Sequence, residues 1–343
     1  MCLRKGKKSK INEDLQKFPV QLVFKTRNFL YNSNVNVHLE RRFIMTIPVF
    51  LELVEMKAKT ASVLPFLIGL CFSYYHYKSV HPILVLLFFI AMFLFNMFVD
   101  MWDNYNDYLN AKNSAYQKET NIIGRENLDL NLLKVLMGAF FALATFLGLV
   151  LTYLVGWQLL VMGLFCFAVG ILYSYGPKPL SSLPLGEFFS GFTMGFVITL
   201  ICVFLNAYQV FAWDFKSIGA IFLISLPNTL WIANLMLTNN LCDKEEDESN
   251  HRYTIVHYIG VKGALWLFSL TNLLAMFAIV LGVSLDLAPA TVIFTLLLIP
   301  FIYKQTRMLW EKQVKKETFI CAVRILALGS FTLVFTYAIG LLL

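Results

Sequence analysis

Charge is scarce in this chain. Only 14% of its 343 residues are Asp, Glu, Lys or Arg, while 58% are hydrophobic. A water-soluble domain carries about 25% charged and about 45–50% apolar residues, so a soluble enzyme is excluded. Paired cysteines are missing too. Cys2, Cys71, Cys166, Cys202, Cys242 and Cys321 stand singly, which indicates neither a disulfide framework nor a zinc site. His76 and His81 flank a turn without ligand spacing. No early apolar segment follows the polar, basic N-terminus, so no secretory signal peptide is expected. The net charge of +7 does not point to nucleic acid, because basic residues of membrane proteins collect in cytoplasmic loops.

What is present is repetition. From Phe50 onward, apolar runs alternate with short polar breaks. Nine runs, roughly 62–77, 82–102, 131–153, 157–175, 186–206, 216–238, 263–283, 286–303 and 319–342, each approach the ~20 residues that cross a bilayer. The expected fold is all-α, a multi-pass bundle of nine transmembrane helices spanning residues 45–343, with the lipid bilayer as solvent. Residues 1–44 form a polar, basic extension. An alternative is that Met45 is the native start, since Glu40-Arg41-Arg42 can be encoded in purine-rich codons resembling a bacterial ribosome-binding site. Loops 103–130, 176–185, 239–262 and 304–318 hold twelve Lys and Arg, whereas the opposite loops hold only Lys78 and the border residue Lys216. The basic loops are therefore cytoplasmic, with the N-terminus inside and the C-terminus outside a cell membrane.

The second run ends in Asn96-Met-Phe-Val-Asp-Met-Trp-Asp-Asn-Tyr-Asn-Asp107. Steps of three and four residues put Asp100, Asp103 and Asp107 on one helix face. Like charges so placed repel, and the economical remedy is a divalent cation. The sixth run ends in Asn239-Asn240 and then Asp243 and Asp247, repeating the Asp103/Asp107 spacing 140 residues later. This echo predicts two pseudo-repeated four-helix halves plus a ninth helix. Two facing acid-bearing helix ends suit Mg²⁺, which takes carboxylates together with phosphate oxygens and water, so the expected ligand is a diphosphate. Lys178 and Arg252 are candidate phosphate partners. Gly191 and Gly195 read as a helix-packing motif. A transporter would place its acids nearer mid-membrane.

These residues resemble the UbiA superfamily of intramembrane prenyltransferases. Asp100, Asp103 and Asp107 match the Asp spacing of its first motif, with Asn96 matching the earlier Asn of the menaquinone branch and Val99 replacing the adjoining Asn. Asp243 and Asp247 match its Asp-x-x-x-Asp motif. Three further stretches are similar to the branch that prenylates 1,4-dihydroxy-2-naphthoate: Gly176-Pro-Lys-Pro-Leu180, Asn239 to Asp247 followed by Asn250, Arg252 and Thr254, and Lys57-Ala-Lys-Thr60, where the branch has Arg-Pro-Lys-Thr.

The resemblance implies an enzyme that moves a polyprenyl group from an allylic diphosphate to an aromatic acceptor. For dihydroxynaphthoate, carbon dioxide is lost and demethylmenaquinone forms; a superfamily relative would use 4-hydroxybenzoate or another acceptor. It implies Mg²⁺ on Asp100, Asp103, Asp107, Asp243 and Asp247. It further implies substrate contacts from Lys57, Lys59, Lys178 and Arg252, shielding or hydrogen bonding by Tyr173 or Tyr175, and orientation of carboxylates or water by Asn96, Asn239 and Asn240.

Overall fold

The computed structural model describes residues 45–111 and 114–343. The extension expected over 1–44 and Lys112 of the first basic loop lie outside the described residues. Among the described residues there is no strand, and nine helices are long and apolar enough to cross a bilayer. In order they are Met56–Tyr77, Pro82–Asn110, Leu130–Val155, Trp157–Ser174, Gly186–Ala207, Phe215–Cys242, Ile255–Ser284, Ala290–Glu311 and Lys315–Leu342, termed spans one to nine below. All nine runs expected from the sequence are helices.

The two acid-bearing spans are both longer than a bilayer crossing needs. Span two begins at Pro82, whose missing N–H costs nothing in a first turn, and continues for 29 residues to Asn110. It does not stop near residue 102, so Asp103 and Asp107 are helical and not in a loop. At 1.5 Å per residue the helix runs about 43 Å, against a hydrocarbon core of about 30 Å. Span six has 28 residues and is about as long. It starts where the Asp214 side chain accepts the Ser217 N–H at 2.7 Å, an N-cap that fixes the register. Both acidic motifs therefore ride on or just beyond the ends of long helices.

Spans five and six form the centre. Gly191 and Gly195 lie against span six so closely that a Cβ on Gly191 would be 2.5 Å from the Thr229 carbonyl oxygen, and one on Gly195 2.4 Å from the Thr229 Cα. The Gly-x-x-x-Gly stretch thus permits a backbone-to-backbone approach. Trp231, Phe204 and Phe268 fill the surrounding core. Span seven is kinked at Gly260, with φ 69°, a conformation glycine adopts without a Cβ clash. Span two packs most extensively on span three, and span six on spans five and seven. Span nine packs on spans six and one. Phe146, Leu164, Leu273 and Leu297 are exposed. Such side chains would be a defect in water and are the natural surface toward lipid.

Candidate functional site

Span two presents its acids along one face at the end of the bundle. Asp100 forms an ion pair with Lys59, which lies in the first turn of span one and is buried. The same ammonium donates to the Asn96 carbonyl at 3.2 Å. Asp103 and Asp107 have no ion pair among the described residues. Asp107 instead accepts the Tyr116 hydroxyl at 3.3 Å. Burial raises the pKa of that phenol, and the Asp107 charge raises it further, so it stays a donor at neutral pH. The loop carrying Tyr116 is tied down elsewhere: Gln117 Nε2 donates to the Tyr108 carbonyl at 2.9 Å, and Asn121 Nδ2 to the Asn104 carbonyl at 3.0 Å.

The second motif turns a corner. Asp243 ends span six, donating its N–H to the Asn239 carbonyl at 3.0 Å, and its own carbonyl accepts from Asp247 N at 2.8 Å in the short helix Lys244–Ser249. Asp243 is ion-paired with Lys315, the first residue of span nine. Asp247 is buried. Arg252 Nε lies 3.3 Å from Asp247 Oδ1, at an angle that leaves both this N–H and Asp247 Oδ2 without a hydrogen bond. Arg252 also acts electrostatically on Asp103 and Asp107, and Lys315 on Asp107. The two motifs therefore share one electrostatic site. The Tyr253 N–H donates to the Ser182 carbonyl at 3.0 Å, which seats the segment after motif two on the Gly176–Leu180 loop region.

A cavity of about 380 Å³ runs among the first six spans from this end. Lys59, Asn96, Asp100, Asp103 and Tyr173 line its polar part, together with Glu55, whose φ is 46°. Beyond them the wall is apolar, with Phe95, Met92 and Phe88 of span two facing Leu151, Leu159 and Phe167. The 15 helical residues from Asp103 to Phe88 correspond to about 22 Å of depth. Val99, where the resembled motif has Asn, lines the wall and keeps it apolar. Leu149, Leu160 and Leu164 of spans three and four line the cavity and are also exposed on the bundle surface.

Not every expected site residue is gathered here. Lys57 and Lys178 are exposed and make no ion pair among the described residues. Tyr175 is 54% exposed and rests its ring on Trp102, 5.4 Å between centroids, outside the cavity. Asn240 does orient a carboxylate, but that of Glu187, with Nδ2 donating to Oε1 at 2.7 Å; Asn239 enters through its carbonyl. Glu187 Oε2 is buried without a partner. Four residues of this region were missed by motif reading: Glu55, Lys315, Tyr116 and Glu187. Glu187 could have been found, because an acid inside an apolar run demands a partner.

The five motif acids and Glu55 against Lys59, Arg252 and Lys315 leave the site short of positive charge. Among the described residues no three acidic, His or Cys side chains form a ready-made cage. The donor set nonetheless fits a hard divalent cation, which needs only one or two carboxylates when water and ligand phosphate supply the rest. The orphaned Asp247 Oδ2 is an acceptor for such an ion. Burial pushes the Asp247 carboxyl from 3.8 up to about 6, with Arg252 opposing the shift. A carboxyl raised on folding contributes stability below its ordinary value and loses it as pH rises through the folded one. The cation-free protein should therefore lose thermal stability as pH rises from 3.8 through about 6. Divalent-cation binding should gain strength over the same window. Thermal unfolding in detergent with and without Mg²⁺ checks the two opposite trends.

The family model for the UbiA prenyltransferase family matches residues 62–335. The 1,4-dihydroxy-2-naphthoate octaprenyltransferase of Bacillus subtilis (strain 168) is 32% identical over 215 residues, which cover 61% of this chain and 65% of that relative. The match thus spans just under two thirds of the curated relative's length. Two solved structures share the fold. The apo UbiA homolog from Aeropyrum pernix K1 has TM-score 0.62 and 18% identity over 82% of this chain and 96% of its own. The UbiA homolog from Archaeoglobus fulgidus bound to GPP and Mg²⁺ has TM-score 0.61 and 12% identity over 86% of this chain and 100% of its own.

Proposed function

Because the chain belongs to the UbiA prenyltransferase family, we propose that it transfers a polyprenyl group from an allylic diphosphate to an aromatic acceptor. The acceptor that its similarity favours is 1,4-dihydroxy-2-naphthoate. One observation carries the reading: a strongly acidic mouth opens directly into a long apolar cavity. That pairing suits a ligand with a charged head and a hydrocarbon tail, and no other part of the described bundle offers both.

Asp100, Asp103, Asp107, Asp243 and Asp247 would hold Mg²⁺, which when bound withdraws charge from a diphosphate leaving group. The protein's own groups do the rest. Lys59 and Arg252 neutralise phosphate oxygens, with Lys178 available from the adjoining loop. Asn96 offers a buried Nδ2–H without a partner. Tyr173 stands where the polar mouth meets the apolar wall, and its ring face can shelter the allylic cation. The carbon–oxygen bond breaks with its electron pair going to diphosphate. A ring carbon of the acceptor then forms the new carbon–carbon bond. With dihydroxynaphthoate that carbon sheds its carboxylate as carbon dioxide and both hydroxyls are kept, giving the quinol form, demethylmenaquinol. The apolar wall excludes the water that would quench the cation.

The acidic end is read as cytoplasmic, from the basic loops that join it. The acids stand at or just beyond the ends of long helices, which runs against a transporter. The test is an assay of membranes containing the protein, given dihydroxynaphthoate or 4-hydroxybenzoate with prenyl diphosphates of several lengths, with Mg²⁺ or with chelator. Prenylated naphthoate product with Mg²⁺ alone is expected. Product only from 4-hydroxybenzoate moves the acceptor assignment, and no transfer from any combination ends the reading.

A further inference from the structure

The first acid of each motif is already covered by a lysine from a different span: Asp100 by Lys59 and Asp243 by Lys315. The second pair is the unexplained one. Lys315 stands 72 residues from Asp243 in sequence, on a helix that carries no other acid-motif residue. Its side chain is 53% exposed while that of Asp243 is 15% exposed. It is therefore a solvent-exposed cation placed over a carboxylate that a divalent ion also needs. Lys315 also acts electrostatically on Asp107 of the opposite motif.

A divalent ion and an ammonium cannot share one carboxylate without repelling each other. When the ion arrives, Lys315 must let go. Its backbone is fixed at the first turn of span nine, so the freed ammonium stays beside the site, where the next anion is the diphosphate. Resting on the reading of this site as a metal-diphosphate centre, we propose that Lys315 is an exchangeable counter-ion that passes from Asp243 to a diphosphate oxygen. Metal and diphosphate are thereby bound interdependently. Each weakly occupies the site alone, and each favours the other by the same factor. A lysine suits this task better than arginine would, being a point charge on a flexible stem and not a rigid fork.

The experiment uses the full chain in lipid nanodiscs, with Mn²⁺ as the metal probe read by electron paramagnetic resonance. A geranyl thiodiphosphate serves as the unreactive diphosphate. Lys315→Gln should bind Mn²⁺ alone about two- to fivefold more tightly than the unmodified protein, the size expected for a partly exposed ion pair. It should bind the thiodiphosphate about as many times more weakly at saturating Mn²⁺. Lys312→Gln, which removes a neighbouring ammonium paired with Glu317, should change neither. Unchanged or weaker Mn²⁺ binding in Lys315→Gln, or equal tightening in Lys312→Gln, overturns the exchange. If the unmodified protein binds no Mn²⁺ even with thiodiphosphate, the metal-diphosphate reading itself fails, and the exchange fails with it.

Discussion

Asp103→Asn lowers prenyl transfer by about 10²–10³-fold, the range seen when one group that stabilises developing charge is removed, and leaves the protein folded in the membrane. Asp103 lines the mouth of the cavity, and no cation is paired with it among the described residues. A neutral amide of the same shape removes a negative charge from a crowded acidic face, so thermal stability without metal should hold or rise. Asp100→Asn is expected to behave differently. It strands the buried Lys59 ammonium without its carboxylate, and breaking one side of a buried pair costs about 3–5 kcal/mol. Rate and melting temperature measured on both variants separate the two roles. Near-normal transfer by Asp103→Asn would remove that carboxylate from the chemistry.

Filling the apolar cavity from its walls should shorten the tail that it accepts. Gly163 of span four and Gly148 of span three both line the cavity, and a Cβ on either would meet nothing within 4 Å. Gly163 lies 11 residues from Ser174 at the acidic end, about 17 Å along the axis; Gly148 lies 18 residues from Leu130, about 27 Å. Gly163→Leu should exclude all but short prenyl diphosphates, cutting transfer of long ones by about 10²-fold or more. Gly148→Leu should pass intermediate lengths. Short-chain transfer should survive in both, and neither should lose stability, since replacing a helical glycine gains roughly 0.5–1 kcal/mol. Competition assays with a ladder of chain lengths read the cut-off directly. Gly170 is the contrasting position, where a Cβ would press within 2.9 Å of Phe95 and Val99. Identical cut-offs for the Gly163 and Gly148 variants would break the link between depth and length.

The membrane bundle was legible because lipid imposes a plain rule: runs of about 20 apolar residues must be helices. The acids were legible because steps of three and four collect side chains on one face, and because the Asp103/Asp107 spacing returns at Asp243/Asp247. What could not be read was the company those acids keep. Lys315 reaches Asp243 across 72 residues and Asn240 reaches Glu187 across 53. Both distances are set by how spans five, six and nine pack, which hydropathy does not encode. The same packing leaves Lys57 and Lys178 exposed at the surface. Motif matching had weighted them equally with Lys59, which is buried. The length of span two was misjudged because its last two turns are polar, yet the helix continues once the loop around Tyr116, Gln117 and Asn121 supplies hydrogen bonds to Asp107, Tyr108 and Asn104.

Leu149, Leu160 and Leu164 belong at once to the cavity wall and to the surface that faces lipid. Only side chains, with no further layer of protein, stand between the apolar reservoir inside the bundle and the one around it. A tail crossing there exchanges one hydrocarbon setting for another, and the hydrophobic effect sets no toll on either side. Saturation of such a catalyst is governed by the mole fraction of donor in the two-dimensional lipid phase. Diluting vesicles with buffer should leave the rate per molecule unchanged, while diluting the donor with inert phospholipid should lower it.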